Sequence, residues 1–276
     1  MTPYLSLFKL ALIAIVGLAS ACSDDSDTTT ADTSQDTGNP DDTPDTDPSD
    51  APLSDTTAED DISTEDVPIQ PPPCDESLRP LVAAHGFLAS GDTYANHAMR
   101  FAANGSCLDR LRPFDWNTLD QNANAEEGLD QFIDDLLAES GAEQVDLAGH
   151  SAGGGLGYRY LADPERASKV AHYIHIGSNT FEGPAGPEQN PVPTLNLWSQ
   201  DDLIIEDKGD IPGATNVQLP GADHYAVATN AASFEAIYRF VSDDQEPATT
   251  AIEPSSDPIL VSGRAATFGE NTPLAL

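Results

Sequence analysis

Gly149-His150-Ser151-Ala152-Gly153 spells G-x-S-x-G. It follows a β-like run, Gln144-Val145-Asp146-Leu147-Ala148, and leads into a small-residue segment, Gly153-Gly154-Gly155-Leu156-Gly157-Tyr158, that can open a helix. Where a strand turns directly into a helix, a serine between such glycines is lifted above the carboxyl edge of a parallel sheet. The glycines two before and two after it are needed because a side chain there would clash across so tight a turn. A hydroxyl held this way suits one kind of chemistry, attack on an acyl carbon after a base has taken its proton.

That base must itself be oriented by a carboxylate, and on this type of turn the partners follow the serine in the order acid, then histidine. Both are in place. The strand-like run Leu195-Asn196-Leu197-Trp198 ends in Ser199-Gln200-Asp201-Asp202, and Gly221-Ala222-Asp223-His224 puts a loop histidine before the last helical stretch. Only His224 of the six histidines follows the acid. His85, His97, His150, His172 and His175 read as structural. Asp202 is the preferred acid, because it follows the strand by a few residues and precedes an apolar pair, Leu203-Ile204, expected to anchor the loop. Asp201 is the alternative.

Attack on an ester creates an alkoxide-like oxygen that needs preorganised donors. His85-Gly86-Phe87, at the end of the apolar run Pro80–Ala84, supplies one, the backbone N–H of Phe87. The N–H after the nucleophile, on Ala152, is the other. Chemistry of this kind requires neither a metal nor an organic cofactor, and the cysteines have no third ligand at a metal-binding spacing.

From Arg79 onward strand-like and helix-like patterns alternate, which predicts a mostly parallel sheet with helices on both faces. Strands are expected at 80–84, 108–114, 144–148, 170–176, 194–198 and near 216–219. Helices are expected at 93–103, 122–140, from the elbow to about 161, and at 230–241. Apolar Leu129, Phe132, Ile133, Leu136 and Leu137 recur at helical spacing, and Gly141 stops that helix. The Gly/Pro-rich connection 177–193 is too short for a helical lid. The stretch after Asp243 is Pro/Thr/Ser-rich and then strand-like at Ile259–Val261 and Ala266–Phe268, a tail or the start of a β-module over 246–276.

Ahead of the catalytic region, assigned to 74–245, lie two different materials. Residues 1–22 have a positive charge at Lys9, a short apolar core and small residues at Ala19-Ser20-Ala21, the pattern of a signal peptide rather than a membrane span. Cys22 after them predicts a lipoprotein-type signal with lipidation at that cysteine, and ordinary secretion is the alternative. Residues 23–73 hold 16 Asp or Glu, no Lys or Arg and hardly any large apolar side chain. Such a segment buries too little apolar surface to offset chain entropy, and is expected to be a disordered, self-repelling spacer. The expected location is the cell envelope, at the outer membrane or cell surface, with membrane contact only through the anchor. The formal net charge of −36 argues against nucleic acid and anionic membrane surfaces as partners. The exported part keeps two cysteines, Cys74 and Cys107, which read as one disulfide closing the entries to two neighbouring strands.

Four stretches together carry a likeness. They are the strand with His85-Gly86-Phe87, then Phe114-Asp115-Trp116, then Val145 to Gly154, and Ser199 to Asp202 with Gly221 to His224. From about 79 to 242 the chain resembles the small lidless bacterial lipases of the α/β-hydrolase superfamily, those like lipase class 2. The resemblance implies an α/β-hydrolase fold with Ser151 as nucleophile, Asp202 as acid, His224 as base, and Phe87 and Ala152 as oxyanion donors. The expected partner is a small-molecule or lipid ester, and the expected state is a monomer. The acyl pocket is left to loop residues such as Leu88, Phe181 and Tyr225. The same parts would serve a polyester or thioester hydrolase or an acyltransferase, and a non-catalytic surface-binding protein could keep the fold.

Overall fold

The computed structural model describes residues 74–120, 124–252 and 265–274. The leader, the acidic spacer and the strand-like run at Ile259–Val261 lie outside the described residues. Six parallel strands form the sheet: β1 Leu81–Ala84, β2 Leu111–Phe114, β3 Val145–His150, β4 Val170–Ile176, β5 Thr194–Trp198 and β6 Thr215–Gln218, in the order β2-β1-β3-β4-β5-β6. β1 and β3 are buried along their whole length, as central strands between two helical layers must be, with the buried Asp146 of β3 paired to Arg79 and His172. The helices are α1 Ala95–Ala103, α2 Ala125–Ser140, α3 Ala152–Leu161, α4 Pro164–Ala167, α5 Ala226–Thr229 and α6 Ala231–Val241.

Alternation along the strands divides the core in two. Leu81 and Ala83 of β1 join Ile174, Ile176, Leu195 and Leu197 against Phe101 of α1 and Phe234 and Ile237 of α6. Val82 and Ala84 point the other way and join Val145, Leu147 and Tyr173 against Leu129, Ile133 and Leu136 of α2 and Leu156, Tyr160 and Leu161 of α3. The period of two along a strand produces this segregation. α2 ends at Gly141, whose φ of 68° is the left-handed turn expected of a glycine stop.

The chain leaves β1 toward β2 and leaves β3 toward β4, in opposite directions across the sheet. The carboxyl ends of β1 and β3 therefore border the topological switch point, where open α/β sheets form their ligand crevice. Ala84 pairs with Gly149, so the residues after each strand emerge side by side.

Departures from the expected elements are local. The strand predicted at 108–114 begins only at Leu111, because Leu108–Arg110 forms a 3₁₀ turn after Cys107. The helix predicted from Thr93 is a 3₁₀ turn, Gly91–Tyr94, followed by α1. Ala266–Phe268 is not a strand of any sheet. Ala266 makes one antiparallel bridge to Pro273 around a turn, and the resulting hairpin lies against the loop after β1. No helix among the described residues is long and apolar enough to cross a membrane.

Cys74 and Cys107 are joined, with Cα atoms 5.0 Å apart and a sequence separation of 33. In the chain-entropy account, closing a loop of that length stabilises the fold by about 3–4 kcal/mol. Cys74→Ser/Cys107→Ser should lose that amount in urea unfolding at pH 7, with the sheet intact by circular dichroism. A loss under about 1 kcal/mol would mean that the reduced chain is already constrained there.

Candidate active site

Ser151 closes β3 and caps α3 with φ 54° and ψ −117°, a conformation that non-glycine residues avoid. The glycines around it are required by distance. A Cβ on Gly149 would sit 2.3 Å from the Gly153 carbonyl oxygen, and one on Gly153 would sit 2.2 Å from that of Ala84. On Gly86 it would meet Ser151 Cβ at 3.1 Å, so the end of β1 lies directly against the serine. The serine's backbone is held by Ser151 N–H to Ile176 O (2.9 Å) and by Ser178 Oγ–H to Ser151 O (2.8 Å).

The loops after β5 and β6 bring Asp202 and His224 together. His224 Nδ1–H donates to Asp202 Oδ2 at 2.7 Å. The other carboxylate oxygen, Oδ1, accepts the backbone N–H groups of Ile204 (2.9 Å) and Ile205 (3.2 Å). Burial works against the charge on Asp202, but hydrogen bonds from His224, Ile204 and Ile205 outweigh it and hold the carboxyl below the usual carboxylate range. Asp201, the alternative acid, is exposed and accepts Gly221 N–H at 2.7 Å, which ties the two loops but leaves it off the imidazole.

The expected anchor of that loop is overturned. Leu203 and Ile204 are 90% and 66% exposed. Its anchors are polar instead: the Asp202 carboxylate on two backbone N–H groups, and Lys208 Nζ–H on the carbonyls of Asp202 and Ile205. A tight turn cannot bury adjacent side chains on both of its faces, so the apolar pair is left outside.

At the end of β1, Tyr94 O–H donates to Ala84 O (2.9 Å) and Trp116 Nε1–H to His85 O (3.1 Å). Asp115 Oδ1 accepts Gly91 N–H (2.8 Å), and Trp116 N–H donates to His85 Nε2 (3.2 Å). Phe114-Asp115-Trp116 thus props the loop that carries Phe87. Ala89 N–H closes a turn onto Gly86 O (3.2 Å), which leaves the Phe87 N–H outside that bond. Ala152 is the first residue of α3, where amide hydrogens have no partner within the helix.

His150, expected to be structural, buttresses this cluster. Its ring lies 4.6 Å from that of His224, and its Nε2–H donates to the His224 carbonyl at 2.9 Å. Burial, with the nearby His224 charge, lowers its pKa to about 4, so it stays neutral and buttresses the loop without competing for a proton. Its place beside Ser151 in the motif was the available signal. His85 lies under the β1 loop with Nδ1 on Gly86 O, and the other three lie off the cluster: His97 against Phe234, His172 on Asp146 and His175 on Asn179 O.

A cleft of about 510 Å³ is lined by Leu88, Ser90, Asp92, Tyr225, Phe268 and Asn271, of which Leu88 follows Phe87 and Tyr225 follows His224 in the chain. Leu88 and Tyr225 are two of the three residues expected at an acyl pocket. Phe181 stacks instead on Tyr158 at 3.6 Å and does not line this cleft. Among the described residues no group of His, Cys, Asp and Glu is arranged to hold a metal ion.

No protein-family model matches the chain. Its backbone is similar to that of a Bacillus licheniformis lipase in its mature form, at 14% identity and a TM-score of 0.51 over 61% of this chain and 94% of that one. The propeptide form of that lipase matches at 14% identity and a TM-score of 0.51, over 64% of this chain and 53% of the other. Aspergillus fumigatus lipase B matches at 15% identity and a TM-score of 0.49, over 65% and 56%. The likeness to the Bacillus lipase, with the parallel sheet and its helices, establishes the α/β-hydrolase fold.

Proposed function

We propose that this protein is a serine ester hydrolase of the lipase/carboxylesterase type. Ser151 Oγ attacks the acyl carbon while His224 Nε2 takes its proton, and Asp202 stabilises the imidazolium that forms. The Phe87 and Ala152 N–H groups receive the oxyanion. His224 then protonates the leaving alcohol, and a water deprotonated by the same ring attacks the acyl-enzyme to release the acid. The observation that carries the reading is the 2.7 Å bond between a buried carboxylate and His224, at the sheet edge where Ser151 is held at positive φ.

The rim supports a choice of substrate class. Phe87, Leu203, Ile204, Tyr225 and Phe268 are all substantially exposed and flank the site residues or line the cleft. Exposed apolar side chains around a crevice favour a water-insoluble or lipid ester over a small charged one. We also place the enzyme outside the cytoplasm, tethered through a lipid on Cys22 by the acidic segment 23–73.

A fluorophosphonate probe tests the chemistry. Labelling is expected at Ser151 in folded protein and absent in Ser151→Ala. Folded, unlabelled wild-type protein would sink the proposal and favour a surface-binding role. A series of p-nitrophenyl esters from acetate to palmitate, beside an insoluble triglyceride, then sets the chain length.

A further inference from the structure

We propose that Asn271, on the C-terminal hairpin 265–274, is a positioning residue that orients the Phe87 N–H through the ring of His85. The inference rests on the hydrolase reading above and extends it to a part of the chain far from the motif in sequence.

The hairpin closes on itself through Thr267 N–H to Thr272 O (3.0 Å) and Leu274 N–H to Ala265 O (2.9 Å). It meets the β1 loop at two points. At the first, Asn271 Nδ2 lies 3.0 Å from Ala89 O, 3.2 Å from Trp116 O and 3.1 Å from His85 Nε2. Two carbonyl oxygens can only accept, which identifies that atom as the amide nitrogen and a donor. Trp116 N–H also points at His85 Nε2, at 3.2 Å. A backbone N–H can only donate, so Trp116 makes Nε2 an acceptor and the ring proton resides on Nδ1. The two Asn271 hydrogens are shared among Ala89 O, Trp116 O and Nε2 and hold the ring on that side, with Asp115 Oδ1 3.7 Å from Nε2. Nδ1–H then donates to Gly86 O at 2.8 Å.

That bond sets the plane of the Gly86–Phe87 peptide. In a trans peptide the carbonyl and the following N–H point in opposite directions. Holding Gly86 O on the His85 side therefore turns the Phe87 N–H to the other side. At the second point, Gly269 O accepts both the N–H and the Oγ1–H of Thr118 (3.0 Å each), and Thr118 Oγ1 accepts Leu88 N–H (3.1 Å). Leu88 is itself at φ 58°. The residues on either side of Phe87 are thus both tied to the hairpin.

The full chain is the test material. Asn271→Gly suits the 56° φ of this position while removing the amide, and Asn271→Asp keeps the shape but turns an acceptor toward Nε2. With active serines titrated by fluorophosphonate, turnover of p-nitrophenyl butyrate at saturation per labelled site should fall about tenfold in both; Asn271 also lines the cleft, so kcat and not KM is the reading. That is less than the 10²–10³ typical of losing a donor outright, because the N–H is misdirected rather than absent. A hairpin that merely stabilises the fold would lower the titrated fraction and Tm with turnover per labelled site unchanged, and that result overturns the proposal. ¹⁵N NMR of wild-type protein gives a reading that no variant's folding affects: His85 should be protonated on Nδ1, and an Nε2–H ring overturns the proposal. Wild-type protein that neither labels nor turns over would remove the hydrolase reading and this inference together. Active wild type with variants equal to it per labelled site removes this inference alone.

Discussion

Asp202→Asn should lower kcat/KM on a p-nitrophenyl ester by about 10⁴-fold, the loss typical when a triad carboxylate becomes an amide, while Asp201→Asn leaves it nearly unchanged. The reason lies in which end of the new amide faces the histidine. Ile204 and Ile205 both donate N–H groups to Oδ1 of residue 202, so an asparagine there must turn its carbonyl toward them. Its NH₂ then faces His224 Nδ1, which becomes an acceptor, and the ring proton moves to Nε2. The nitrogen needed to receive the serine proton is occupied. Asp201 has no such leverage, because its contact is the backbone of Gly221. Steady-state kinetics on both variants decides the matter: loss in Asp201→Asn with activity kept in Asp202→Asn would transfer the acid role.

Acid should unfold the domain well before its carboxylates are protonated. Three buried histidines fold neutral: burial lowers His150 and His175 to about 4 and, with the nearby Arg100 charge, His97 to about 3. In the open chain each titrates near ~6.5. Between these values the unfolded state binds protons that the folded state refuses, so stability falls as pH falls. The contribution is complete above about pH 6.5 and is lost progressively toward pH 4, by roughly 3 kcal/mol per histidine. Three such losses approach the whole stability of an ordinary domain, about 5–15 kcal/mol. Asp202, also lowered, loses its contribution in a more acidic window, as the pH falls below the usual carboxylate range toward its folded pKa. Urea unfolding from pH 8 to pH 4 should show the midpoint flat at first and then dropping steeply below about pH 6.5. His97→Leu should flatten part of that drop, since the ring already lies against Phe234 in an apolar layer. A midpoint unchanged between pH 7 and pH 4.5 would contradict the assignment of all three as neutral.

The strands and the serine turn were legible because their rules are local. Buried parallel strands read as apolar runs, and the clash that forbids a Cβ at Gly149 or Gly153 is set within a few residues of Ser151. Element ends were less legible. Leu108–Arg110 has strand-like composition but follows a disulfide-bonded cysteine into a 3₁₀ turn. The exposure of Leu203 and Ile204 is not legible in the sequence, because apolar type alone does not say which face of a turn is covered.

By itself the sequence determined the order of the parts: a serine at a strand-to-helix turn, an acid after a later strand, a histidine before the last helix, and a His-Gly turn after the first strand. These follow from chain order and from steric limits that act over one turn. Only the tertiary structure decided that Asp202 rather than Asp201 meets His224. Adjacent residues leaving a strand point in different directions, and the partner loop approaches from one side only. It also placed His150 under the His224 carbonyl and Asn271 beside His85, pairings between segments whose separation along the chain carries no pattern. Such contacts exist because the sheet brings six strand ends to one edge, where distant loops share a small volume.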